Sequence, residues 1–283
     1  MERRRKRCRP PAAGACGRRA AGAALAAAML LLGACAAAPR VPYPAFVQAD
    51  ELQDVFLASL PGTRAKQFAG DSRTRQTSNR LALPAQWRGT TGATPTLNLE
   101  LYVLAGAVRL DDLDLDAGGY AFFPAGWRSV DLRTQSGALL LYFLSDAAPD
   151  NVIQTPLVTS TRFESWVPHA QIPGVFTLEL RHDPGSGART WLERVTPEAR
   201  LPWRAAARVV EGYLVAGHYR ESECVAGQPV TGEYTPGGYF IRPGGALHGG
   251  PASRAVQPSV WLLRTTGHGE TDTVGRCRAA PAR

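Results

Sequence analysis

The residues able to do chemistry in this 283-residue chain are few and dispersed. Five histidines, His169, His182, His218, His248 and His268, form no close pair. There is no Gly-x-Ser-x-Gly elbow, phosphate-binding loop, dinucleotide fingerprint, Cys-x-x-Cys or His-Glu-x-x-His run. What remains is a group in the C-terminal third: Trp203, Arg204, Arg208, Glu211, Tyr239, Arg242 and His248. A carboxylate and an imidazole can share a proton, and guanidinium groups can bind a carboxylate or another anion through charge-assisted hydrogen bonds. Whether these side chains meet depends on the elements that carry them.

The N-terminus is a targeting segment rather than part of the fold. A basic stretch, Glu2 to Arg9, and the pair Arg18 and Arg19 precede an apolar run from Ala20 to Ala34. That order of a basic region, a short hydrophobic region and small residues is that of an export signal. The run is shorter than the roughly 20 apolar residues a spanning helix needs. It ends Leu32-Gly33-Ala34-Cys35, which resembles the lipobox of bacterial lipoproteins. The resemblance implies cleavage after residue 34, a diacylglycerol on Cys35, and attachment to a membrane through that lipid. Because Ala36 rather than Asp follows, it also implies the outer membrane, facing the periplasm, in a Gram-negative host.

Removing this segment changes the charge argument. The chain carries a formal charge of +8, and residues 1–34 contribute eight basic residues against Glu2, seven of those eight charges. The exported body is close to neutral and has no basic face for nucleic acid. Cys8 and Cys16 leave with the signal and Cys35 takes the lipid, so Cys224 and Cys277 remain. An even pair in an oxidising compartment predicts a disulfide, against the alternative of two free thiols.

Beyond a Pro- and Ala-rich tether at Ala36 to Ala45, the segment Phe46 to Leu60 is predicted as a short helix (Ala49 to Phe56) or an irregular lead-in strand. Helical periodicity is otherwise scarce. Short apolar runs at Leu97–Leu104, Ala121–Pro124, Ala138–Leu144, Phe176–Leu180, Gly212–Val215, Tyr239–Ile241 and Val260–Leu263 alternate with Gly, Pro and Asp, which predicts a sandwich or barrel. The chain also repeats. Glu100 to Gly106 matches Glu211 to Gly217, Gly118 to Gly126 matches Gly237 to Gly245, and Leu139 to Leu144 matches Val260 to Arg264, in one order. Two copies of one β unit explain this.

The Glu-x5-Gly and Gly-x5-Pro-x-Gly runs resemble the two motifs of the cupin family. The likeness covers most of residues 60–266. It implies an all-β body of two tandem cupin-type jelly-roll barrels. The expected organisation is a signal peptide (1–34), lipidated Cys and tether (35–58), a degenerate first barrel (59–149), a second barrel (160–268) and a C-terminal tail (269–283).

Metal-binding cupins hold a divalent ion with a His-x-His pair, a Glu and a later His. In the first half the corresponding window, Gly92 to Thr96, has no His, and Ser129 stands at the later position, so Glu100 is expected to be structural. In the second half Glu211 and His248 fit, but Trp203 to Ala207 supplies no His. A metal on Glu211 and His248 is therefore an incomplete site. The plainer expectation is that Glu211 and His248 pair in the barrel mouth, raising the imidazole pKa. Alternatively Arg204, Arg208 or Arg242 turns inward beside His248 and the barrel takes an anion without metal. Solvation outside the barrel is the expected fate of any one of them, and alternation with Phe240 favours it for Arg242. Trp203 and Tyr239 serve equally as pocket wall or core. The leading function is an exported, lipid-anchored bicupin that binds an unidentified small molecule or acts structurally, with no cofactor. The alternative is a metal-dependent cupin isomerase or dioxygenase acting in the second barrel.

Overall fold

The computed structural model describes residues 43–91, 94–269 and 271–278. The signal, Cys35 and the first part of the tether lie outside the described residues. Residues 54–160 build a ten-stranded antiparallel sheet, and the rest of the described chain builds an eleven-stranded one. Each sheet curls into a barrel around one long strand, Leu97–Leu110 in the first half and Val210–Val225 in the second.

The repeat read from the sequence is a structural repeat. Leu97–Leu110 lies between strands Gly119–Phe123 and Ala138–Asp146, and Val210–Val225 lies between Gly238–Arg242 and Arg254–Thr266. The registers correspond as well: Glu100 faces Phe122, and Glu211 faces Ile241, the same position of the repeated motif. Gly118 and Gly237 open the equivalent strands with φ of +90° and +98°, a backbone conformation that glycine adopts without steric cost.

The two halves exchange arms. Strand Val47–Gln48, which precedes the first half, pairs with Tyr239 and Gly238 of the second. Strand Leu157–Ser160, which precedes the second half, pairs with Phe122 to Gly119 of the first. Of the two expectations for this segment the irregular lead-in strand holds and the helix at Ala49 to Phe56 does not: a 3-10 turn, Ala49–Glu51, is followed by strand Asp54–Val55. A helix that short is costly to nucleate, whereas an open sheet edge offers ready backbone partners. The end of the supposed tether is thus part of the second barrel's wall, where Phe46 packs on Tyr234. The supposed tail belongs to it too: strand Thr271–Val274 pairs with Trp203–Ala206, and Cys277 is bridged to Cys224.

Alternation along the strands sorts side chains into three layers. Leu99, Leu101, Val103, Ala121, Phe123 and Leu140 fill the first barrel. Tyr102, Tyr120, Phe122, Phe143, Tyr213 and Tyr239 lie between the barrels with Phe68 and Leu178. Leu214, Tyr219, Tyr234, Phe240 and Trp261 line the second barrel. Complete burial of a Leu such as Leu99 or Leu101 is worth about 2 kcal/mol, so the first barrel's interior is stabilising packing.

Candidate functional site

Glu100 and Glu211 both face the layer between the barrels. Glu100 is 1% exposed and accepts hydrogen bonds from Tyr120 Oη (2.7 Å), Thr190, Arg181 Nη2 (3.2 Å) and Arg264 Nη2 (2.8 Å). Glu211 accepts from Tyr239 Oη (2.6 Å) and Arg264 Nη1 (2.8 Å). Arg264 thereby bridges the same glutamate of both repeats, each capped by the same tyrosine of the repeated motif. Burial alone would push the Glu100 carboxyl up, but Arg181, Arg264 and the two hydroxyls hold it well below the usual carboxylate range. Burial and the adjacent carboxylate push Tyr239 well above its ordinary value. This arrangement is structural: its charges are buried and matched.

Glu211 and His248 therefore do not form the expected couple. Successive residues of a strand point to opposite faces. On Val210–Val225, Glu211 and Tyr213 face the other barrel while Gly212 and Leu214 face the lumen, where His248 lies. Tyr239 goes with Glu211. Trp203 points away from the lumen and lines an outer cleft, where Gly250 (φ +79°) lies so close beneath its ring that an added Cβ would sit 2.2 Å away.

The lumen of the second barrel holds a different constellation. A cavity of about 70 Å³ is bordered by Trp191, Glu193, Arg204, Tyr219, Glu221, Phe240, Arg242, His248 and Trp261. Arg242, expected outside, points inward with Phe240, and its guanidinium lies 3.5 Å over that ring. It donates from Nε to Glu223 (2.7 Å) and from Nη2 to Glu221 (2.9 Å). Glu221 also accepts from Ser253 Oγ (2.7 Å) and the Gly249 N–H (3.1 Å). Tyr43, from the exchanged arm, donates to Glu223 at 2.8 Å. Burial pushes the Glu223 carboxyl up, Glu221 adds to this, and Arg242 opposes it.

Arg204 and His248 are directly opposite each other on paired strands. Arg204 donates from Nη2 to Glu193 (3.2 Å), while its buried Nε has no partner among the described residues. His248 makes one long contact, Nδ1 to the Ala246 carbonyl at 3.4 Å. Burial first, and then the Arg242 and Arg204 charges, hold the imidazole well below its usual 6.5, the reverse of the rise expected from a Glu211 partner. His248 is thus neutral at pH 7.

A pH-dependent stability follows. The unfolded chain gains a proton at His248 below about pH 6.5 while the folded chain does not, so this contribution is complete above that pH and is lost as pH falls below it. Glu223, raised in the fold, works in the opposite sense at lower pH. The wild type minus His248→Gln difference in unfolding free energy, measured by urea titration, is expected to fall with a slope approaching about 1.4 kcal/mol per pH unit below pH 6.5. Parallel pH profiles for the two proteins would refute a neutral buried His248.

The sequence does not single out Glu193, Tyr219 and Glu221 as lumen residues or Glu223 and Tyr43 as partners behind Arg242, and for Arg242, considered as an inward residue, it favours the outside. One signal was available: Tyr219, Glu221 and Glu223 alternate along one strand and so share a face.

Two jelly-roll barrels with exchanged arms and motif-matched central strands define the cupin class, in its bicupin form. The chain belongs to the DUF4437 family, a domain of unknown function, whose model matches residues 46–271. No curated protein matches it. Among solved structures, it is similar to a candidate dioxygenase from Nostoc punctiforme, with a TM-score of 0.63 at 15% identity over 84% of this chain and 87% of that one. It is similar to protein Ylba from E. coli, of family DUF861, with a TM-score of 0.62 at 13% identity over 78% and 89%. It is also similar to a variant of Bacillus subtilis oxalate decarboxylase, with a TM-score of 0.59 at 13% identity over 81% and 78%. These likenesses establish the fold.

Oxalate decarboxylase from that organism has Mn(II) centres. The residues here do not fit such an ion. Glu211 faces away from the lumen, Arg204 occupies the window where a His-x-His pair would stand, and Glu221 and Glu223 already bind Arg242. Among the described residues, no three His, Cys, Asp or Glu side chains are grouped to hold a metal.

Proposed function

We propose that this protein is an exported, lipid-anchored bicupin of the cell envelope, and that its second barrel binds a small oxygen-bearing ligand without a metal. The carrying observation is the set of polar side chains that border the lumen cavity, one of them with an unpaired donor. Arg204 Nε is buried without a partner among the described residues, and Tyr219 and His248 line the same cavity. Trp191, Phe240 and Trp261 supply the apolar walls. At about 70 Å³ the cavity has room for on the order of five water-sized sites, which suits a ligand of a few heavy atoms such as a short carboxylate or hydroxy acid. Arg204 would bind an acceptor oxygen, Tyr219 would donate a second bond, and neutral His248 would donate or accept. The lipobox at Cys35 supports attachment to the outer membrane, and the Cys224–Cys277 bridge supports an oxidising compartment.

The test is calorimetric titration of the full-length protein in detergent with formate, acetate and glycolate. At least one is expected to bind with a dissociation constant on the order of millimolar, and Tyr219→Phe or His248→Gln is expected to weaken it roughly tenfold, the worth of one hydrogen bond to a charged group. Absence of binding by all three, or equal binding by both variants, would sink this reading.

A further inference from the structure

The outer face of the first barrel carries a row of like charges that its own packing does not explain. Arg88 lies directly opposite Arg133, and Arg133 lies directly opposite Arg109 on the next strand. Directly opposite residues project from the same face of a sheet, so three guanidinium groups form a ladder across three strands. At about 4.8 Å per strand the ladder is roughly 10 Å long. Like charges in this relation destabilise a sheet.

Arg109 is relieved by Asp114 (3.4 Å) and Asp112 (3.5 Å). Arg88 and Arg133 are exposed and have no carboxylate within salt-bridge distance among the described residues. The ladder lines a cleft of about 740 Å³, together with Arg162, Trp87 and Phe163. Phe163 is an apolar side chain left 87% exposed at the edge of this cleft. Arg162 is paired with Asp116 at 2.6 Å. Arg109 and Arg162 are offset by Asp112, Asp114 and Asp116, so the charge without a local partner is that of Arg88 and Arg133, and the group keeps one net positive charge in one concavity of a nearly neutral body.

We propose that this cleft is a binding site for a multiply charged oxyanion, a compact polyphosphate or tricarboxylate whose anionic groups bridge neighbouring rungs of the ladder. Each guanidinium fork accepts a phosphate or carboxylate in the same way, and a ligand with two or more negative charges offsets the repulsion between rungs. The site is separate from the second-barrel cavity and does not depend on it.

The experiment titrates the full-length protein in detergent with sodium tripolyphosphate and, separately, with citrate at low ionic strength. Arg133→Gln removes the middle rung, and Arg73→Gln removes an exposed charge held at Asp71, outside the cleft. At least one anion is expected to bind wild type, and raising the salt is expected to weaken it. Arg133→Gln is expected to bind more than roughly tenfold less tightly while melting at the same or a higher temperature, because a repulsion has been removed. Arg73→Gln is expected to bind like wild type. Binding of tripolyphosphate alone assigns a phosphoryl ligand, and binding of citrate shows that carboxylates suffice. No binding of either anion, undiminished binding by Arg133→Gln, or an equal loss in Arg73→Gln overturns the proposal.

Discussion

Arg264→Met is expected to lower the unfolding free energy by about 3–5 kcal/mol, the usual cost of removing one partner from a buried ion network. Arg264 donates to Glu100 and to Glu211, its side chain is 7% exposed, and both carboxylates are enclosed. Without it Glu211 keeps only Tyr239, and Glu100 keeps Arg181 with two hydroxyls. Denaturant melts at neutral pH would show the loss. The double variant Arg264→Met, Glu211→Gln is expected to recover a large part of it, because Glu100 still pairs with Arg181 and no ionised group of the network is then left unpaired. The same network has an acid signature. Glu100 is depressed in the fold, so its contribution is present above the ordinary carboxyl value of 4.5 and is lost as pH falls below it. A change under 1 kcal/mol in Arg264→Met would mean that the two halves are not held together through these repeated glutamates.

Opening the Cys224–Cys277 bridge is expected to cost about 4 kcal/mol, the chain-entropy value for a separation of 53 residues. The consequence extends to the lumen. Cys224 follows Glu223 on the central strand, and Cys277 follows the strand Thr271–Val274 that pairs with Trp203–Ala206. The bridge therefore ties the strand bearing Glu221 and Glu223 to the sheet edge bearing Arg204. The Cys224→Ser, Cys277→Ser double variant, compared with wild type in urea, is expected to show the stability loss together with weaker ligand binding in the second barrel. Unchanged stability in the double variant would make the bridge incidental.

Most of the architecture was legible in the chain because its signals are local. Turn glycines at Gly118 and Gly237 and the Pro-x-Gly turns at Pro124 and Pro243 recur in register with the glutamate strands, and the strands formed where apolar runs stood between them. The site was legible only in part. Alternation assigns residues to two faces but does not say which face is the lumen when both are buried. On that ambiguity the sequence points Glu211 into the barrel mouth, leaves Tyr239 open between pocket wall and core, and favours the outside for Arg242. Of the lumen residues now seen, His248 and Arg204 were anticipated. Glu221 and Glu223 were hidden in what read as a longer hairpin around Cys224. Tyr43 could not have been found by pattern, since its partner Glu223 is 180 residues away and they meet through arm exchange.

The most direct test of a metal-free second barrel is elemental analysis of the full-length protein after equilibration with Mn(II), Fe(II), Ni(II) and Zn(II) and removal of excess ion, alongside His248→Ala. Well under one equivalent of any of these metals per chain is expected, with no difference between the two proteins. One tightly held equivalent in wild type that disappears in His248→Ala would contradict a metal-free barrel.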